Sequence, residues 1–131
     1  MNDAERKELV NYRLDKAKAT LNEIDILIEN QLWNTTINRL YYACFFAVSS
    51  LLISKGLKAQ THSGVRQLFG LHFIKTGIIH KELGSFYSDI FDKRQISDYE
   101  DFVEFDEDDV LVLVITARDF ISTIEAILDK Y

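Results

Sequence analysis

Apolar positions along the chain fall into helical rather than strand-like rhythm. Val10, Leu14, Ala17, Leu21, Ile24 and Ile28 recur at alternating spacings of four and three residues. That is one stripe of a long helix, opened by Asn2 or Asp3 as its cap. Val110, Val114, Ala117, Ile121, Ile124 and Leu128 repeat the same spacing near the C-terminus. Two long terminal helices with matching seams predict an antiparallel bundle. Between them, the pattern predicts a second helix from Asn34 to Lys55, stopped by Gly56 and apolar on nearly every side from Leu40 onward. A helix of that kind belongs at the centre of a fold or at an interface. A third helix starts after Thr61 and stops at Gly77, with Val65, Leu68, Phe69 and Phe73 facing inward. A fourth runs from Lys81 to Asp98, with Leu83, Phe86, Tyr87, Ile90 and Phe91 as its apolar side. No useful strand alternation, repeat or low-complexity segment interrupts this series. The expected fold class is all-α, in a single domain over residues 1–131.

Composition supports that picture. The chain has 131 residues, enough for one core without covalent staples, and proline is absent. Cys44 is the only cysteine, so no intrachain disulfide can form. The N-terminus is charged and lacks an apolar signal core. The longest nearly uninterrupted apolar run, Leu40 to Ile53, covers 14 residues, whereas a membrane span needs about 20. A cytoplasmic protein without membrane contact is the expectation.

Charge changes the picture more than composition does. The net charge is −6, but residues 55–94 hold seven basic and three acidic side chains together with all three histidines. Residues 1–54 carry a net −1 and residues 95–131 a net −9. The acidic total argues against nonspecific duplex binding, which depends on neutralising many phosphates. Only the middle third offers an electrostatic footprint for a phosphate-bearing ligand. The run DYEDFVEFDEDD holds eight acids in twelve positions but lacks the glycine and ligand spacing of a calcium loop. It reads as a solvated connection whose last acids sit at the N-terminus of the final helix. No Gly-rich phosphate loop, HExxH, CxxC or GxSxG occurs. His62, His72 and His80 do not have zinc-site spacing, so no metal or cofactor is expected.

Three polar constellations remain. Arg39 and Phe46 return to one helical face, with Tyr42 and Ala43 between them. His62 opens the third helix, where free backbone N–H groups favour an anion. Arg94 continues the stripe of Leu83, Tyr87 and Ile90, with Asp98 one turn later. An inward arginine must be paired or must meet a ligand. It can form an internal clasp with Asp98, Tyr99 packed beside it, or share a polar pocket with Arg39 and Asp98. On the second helix, burying Ile37, Tyr41, Cys44, Val48 and Leu51 leaves Tyr42, Phe45, Phe46 and Ser49 to be covered. Either the other helices or a second copy must cover that side.

The ordered series NRLYYACFFAVSSLLISKGL, THSGV, FGLHFIKTGIIHKELG and FDKRQISDY resembles the HEPN family (higher eukaryotes and prokaryotes nucleotide-binding), in particular its small stand-alone prokaryotic members. The resemblance spans Asn30 to the C-terminus. It implies a four- to five-helix up-and-down bundle and a homodimer. It further implies a nucleotide or RNA ligand, and pairing with a minimal nucleotidyltransferase in a toxin–antitoxin or defence pair. RNases of the superfamily use an arginine followed, after four to six residues, by a histidine near the dimer interface. Arg39 matches the arginine, while Phe46 stands where related chains often carry histidine. Phenylalanine cannot transfer a proton. The resemblance therefore implies a binding module with a degenerate RNase motif, in which Arg39 persists as a phosphate or dimer-contact group. The ligand-facing candidates are Arg39, Tyr42, His62, Arg94, Asp98 and Tyr99, and the dimer candidates are Tyr42, Phe45 and Phe46. The alternatives are an endoribonuclease using His62 or Tyr42 in place of the missing histidine, and a purely structural interaction protein.

Overall fold

A computed structural model describes all residues 1–131 and contains helices only. Helix α1, Asp3–Asn22, is capped by Asn2, whose Oδ1 accepts the Glu5 N–H at 2.8 Å. The stripe expected to form one long helix is broken at Glu23, whose N–H bonds back to the Thr20 carbonyl at 3.1 Å. That tighter three-residue closure ends α1, and α2, Ile24–Glu29, restarts at once. Because the restart is immediate, Ile24 still reaches the core, which is why periodicity alone did not reveal the break.

Helix α3, Trp33–Ser54, stops before Gly56, which takes the left-handed φ of +71° that a side chain would strain. Helix α4, His62–Phe69, begins at Thr61, whose Oγ1 accepts the Gly64 N–H at 2.9 Å. Past Phe69 the winding widens into a five-residue π-helical segment, Gly70–Ile74, closed by Lys75 N–H on the Gly70 carbonyl at 2.8 Å. The third helix expected up to Gly77 is thus an α-helical turn pair followed by this wider turn. Helix α5 spans Lys81–Tyr99 and α6 spans Glu107–Leu128. The acidic run ends as expected: Asp106 and Asp109 form a reciprocal capping box, and Glu107, Asp108 and Asp109 occupy the first turn of α6.

Cross-links fix the directions. Ser50 Oγ donates to the Val10 carbonyl at 3.2 Å while Arg39 pairs with Glu23 at 3.0 Å, so α3 runs antiparallel to α1. Lys18 pairs with Glu125 at 2.6 Å and Arg118 with Asp25 at 3.1 Å, so α6 is antiparallel to the α1–α2 arm. Tyr42 and Arg94, with Asn38 and Asp98, set α5 antiparallel to α3. The result is an antiparallel bundle, as the patterning predicted, with the up-and-down course that the resemblance implied. The terminal helices, however, meet mainly through α3, which packs on α1, α5 and α6 together. Ala43 and Ala47 are fully buried on α3, which lets the neighbours approach closely. The core also holds an aromatic stack in which Tyr87 and Phe120 lie nearly parallel at 5.7 Å, with Phe69 edge-on at 5.3 Å from Tyr87. Truncating Phe120 to alanine there would cost about 3–5 kcal/mol. By length and composition α3 could cross a membrane, but 67% of its most apolar window is buried among the other helices.

Candidate functional site

The chemistry gathers where α3, α4 and α5 meet. Phe86, Tyr87, Ile90 and Phe91 are buried along α5, and the same stripe carries Arg94 inward to 8% exposure. Its Nη1 donates to the Tyr42 hydroxyl at 3.3 Å and to Asp98 Oδ2 at 3.4 Å. The guanidinium also lies over the Tyr41 ring at 4.9 Å and the Tyr42 ring at 5.7 Å. Both hydrogen bonds are at the long end of the usual range. Asp98 divides its attention, since each of its carboxylate oxygens also accepts from Asn38 Nδ2 at 3.3 Å. Arg94 Nε is buried with no partner at all. A buried cation so loosely satisfied is costly to hold in place.

His62, the first residue of α4, stands against the same cluster. Its Nδ1 lies 2.7 Å from the Tyr41 hydroxyl, and its ring stacks on Phe45 at 4.5 Å. Burial pushes the Tyr41 phenol up to about 12, so it stays protonated at neutral pH. The Tyr41 hydroxyl and His62 Nδ1 share one hydrogen bond whose donor is set by the imidazole tautomer, and the Tyr87 hydroxyl is buried nearby. A neutral imidazole has one N–H donor and one acceptor nitrogen, so Nε2 takes the role complementary to that of Nδ1. Burial, with the Arg94 charge beside it, holds His62 below the usual histidine range and favours that neutral form. The site therefore presents the guanidinium of Arg94 as a donor, with the His62 ring beside it. Such a donor suits phosphate oxygens.

The structure brings four of the sequence candidates together: Tyr42, His62, Arg94 and Asp98. The Arg94–Asp98 clasp forms, but Tyr99 is 78% exposed rather than packed beside it. A pocket shared with Arg39 does not form, because the Arg39 guanidinium is turned to Glu23 at 3.0 Å. Helical rotation explains the separation: Asn38 faces α5, and the next residue on α3 faces α1 and α2 instead. Phe46 lies on that same side, with Lys16 Nζ 4.7 Å above its ring. Tyr42, Phe45 and Phe46 are each half-buried and form a continuous aromatic edge, with centroids 5.8 to 6.2 Å apart. Sequence reasoning missed two members of the cluster. Tyr41 was assigned to the core stripe, where its hydroxyl left no periodic signal. Arg66 lies one turn after His62, a spacing of four that does place both on one face, and its guanidinium covers Phe91 at 4.1 Å. No three His, Cys, Asp or Glu side chains stand close enough to share a metal ion.

Comparison with known proteins bears on this geometry. The family model described as "HEPN domain" matches residues 10–127. A "UPF0332 protein" of Thermotoga maritima is 38% identical over 125 residues, covering 95% of each chain. Two proteins of Methanocaldococcus jannaschii, each bearing the printed name "Putative toxin", are 29% and 32% identical. They cover 77% and 71% of this chain respectively, and 69% of their own lengths.

Proposed function

This chain belongs to the HEPN domain family, and from that premise we propose that it is a toxin-like binding module that takes a nucleotide or RNA phosphate at the α3–α4–α5 junction. The observation that carries this reading is the buried Arg94, with Nε unpartnered and His62 and Tyr42 beside it. Arg94 supplies donors to a phosphate beside the His62 ring, and the half-buried Tyr42 offers a ring for a base. The toxin-like character rests on the relatives that bear that name. The paired system, with a nucleotidyltransferase partner and a homodimer formed across Tyr42, Phe45 and Phe46, follows from the family resemblance. Arg39 is assigned to the dimer side rather than to the ligand.

Uridine monophosphate titrated into the protein and followed by calorimetry tests the site. His62→Ala should weaken binding at least tenfold with the fold retained, whereas equal affinity in wild type and variant would remove His62 from the ligand.

A second reading, endoribonuclease activity, draws support from the ring of His62 being fixed between Tyr41 and Phe45. A general base needs an unprotonated Nε2, which requires the tautomer in which Nδ1 donates to the Tyr41 hydroxyl. Cleavage that survives Arg39→Ala but vanishes in His62→Ala would favour this second reading over pure binding.

A further inference from the structure

A groove lies between α4 with its π-helical extension and α5, beginning at Ser63, the residue after His62. Two clefts, of about 570 and 600 Å³, share Arg66, Gly70 and Ser88 and so form one continuous channel. The first also holds Ser63, the neighbour of His62, together with Gln67 and Lys75. The second continues along Ser85 to Lys81. The channel exists because of two glycines. A side chain at Gly70 would enter open space where the clefts join, whereas one at Gly84 would come within 2.9 Å of Ile74, so α5 presses against the π segment there and closes the floor. A π turn inside a helix commonly marks a functional surface, and this one sets the position of Lys75.

The charges of the channel are unequal. Asp92 is paired with Arg66 at 3.5 Å and Asp89 with Lys93 at 2.6 Å. Lys75 and Lys81 are exposed and make no ion pair. They stand in the one positive third of an acidic chain, with Glu82 the acidic residue adjoining Lys81. Hydroxyls of Ser63, Ser85 and Ser88 line the same path.

We propose that this groove is the track for the backbone of a single-stranded polynucleotide, continuing from the phosphate held at Arg94 and His62 past Arg66 to Lys75 and Lys81. The inference rests on the phosphate site proposed above, and it selects an extended strand over a mononucleotide as the ligand. The end of the strand at His62 meets stacking rings, and the remainder meets cations and hydroxyls, which is the division of labour in sequence-tolerant single-strand binding.

The test uses fluorescein-labelled dodecauridylate and, separately, uridine monophosphate, over a series of salt concentrations. Each phosphate neutralised on a single strand contributes about 0.7 to the slope of log affinity against log salt. Lys75→Ala/Lys81→Ala should therefore lower the dodecamer slope by about 1.4 and leave uridine monophosphate affinity unchanged. A control pair outside the groove, Lys7→Ala/Lys130→Ala, should leave the slope unchanged. An unaltered slope in the groove variant overturns the proposal while monophosphate binding still supports the phosphate site. A reduced slope with no monophosphate binding keeps the groove and removes the site. An equal loss in the control pair would reduce the effect to general charge and overturn the groove.

Discussion

The two sides of α3 treat their arginines in opposite ways. On the α1 side, Arg39 is in an ordinary surface ion pair, with its side chain 33% exposed and that of Glu23 53% exposed. On the α5 side, Arg94 is buried at 8% exposure, spread over two tyrosine rings and a carboxylate that also serves Asn38. A pair in solvent contributes between nothing and about 1 kcal/mol and leaves little capacity unused. A buried guanidinium with an unpartnered Nε is held at a cost to folding, which makes it the better candidate for a group kept for binding. Family motif and physical environment thus point to different arginines, and the environment favours Arg94.

The sharpest way to break this contrast is to remove each charge. Arg94→Ala removes the cation from two tyrosine rings and opens a space between them, while the solvent-exposed Asp98 keeps its Asn38 bonds, for an expected loss of about 2 kcal/mol in chemical denaturation. A loss below 1 kcal/mol for Arg94→Ala would show that the clasp is no more than a surface pair.

A smaller effect comes from the Tyr41–His62 bond. Tyr41→Phe should cost about 1 kcal/mol, the usual net value of one hydrogen bond. The pH dependence follows from the lowered His62 value. The folded state resists protonation, so the stability contributed by neutral His62 is complete above the unfolded value of about 6.5. It is lost as pH falls from there through the lower folded value. Thermal melts should show this decline below about pH 6.5, and His62→Gln should flatten it. A decline of equal size in that variant would assign the titration elsewhere.

The smallest effect is expected on the other side. Arg39→Ala should change stability by less than about 1 kcal/mol. If the aromatic edge beside it is a two-fold contact, sedimentation at micromolar protein should give about twice the monomer mass, and Phe46→Glu should halve it with helicity intact. A monomeric wild type would remove the dimer and leave the edge as surface.

The bundle was legible because burial follows the helical period: the stripes of α3, α5 and α6 reached the core almost residue for residue. The break at Glu23 was not, since it involves neither glycine nor proline and preserves the phase of Ile24. The π segment was equally silent, because Phe69 and Phe73 remain buried across it. For the site, inward placement of Arg94 was readable as a charge on an apolar stripe. Its company was not, because which face of α3 meets α5 depends on packing order. One residue of rotation separates Asn38, which reaches Asp98, from Arg39, which reaches Glu23. Tyr41 was hidden for a related reason, as a tyrosine counts as apolar in any periodicity while its hydroxyl does the bonding.

The central claim, that the ligand side of α3 is the Arg94 side, is tested most directly by amide and side-chain NMR during titration with uridine monophosphate. The account predicts shifts concentrated at Tyr41, Tyr42, His62 and Arg94, with Glu23, Arg39 and Phe46 unmoved. Shifts confined to Glu23, Arg39 and Phe46 would contradict it and return the site to the arginine that the family motif singled out.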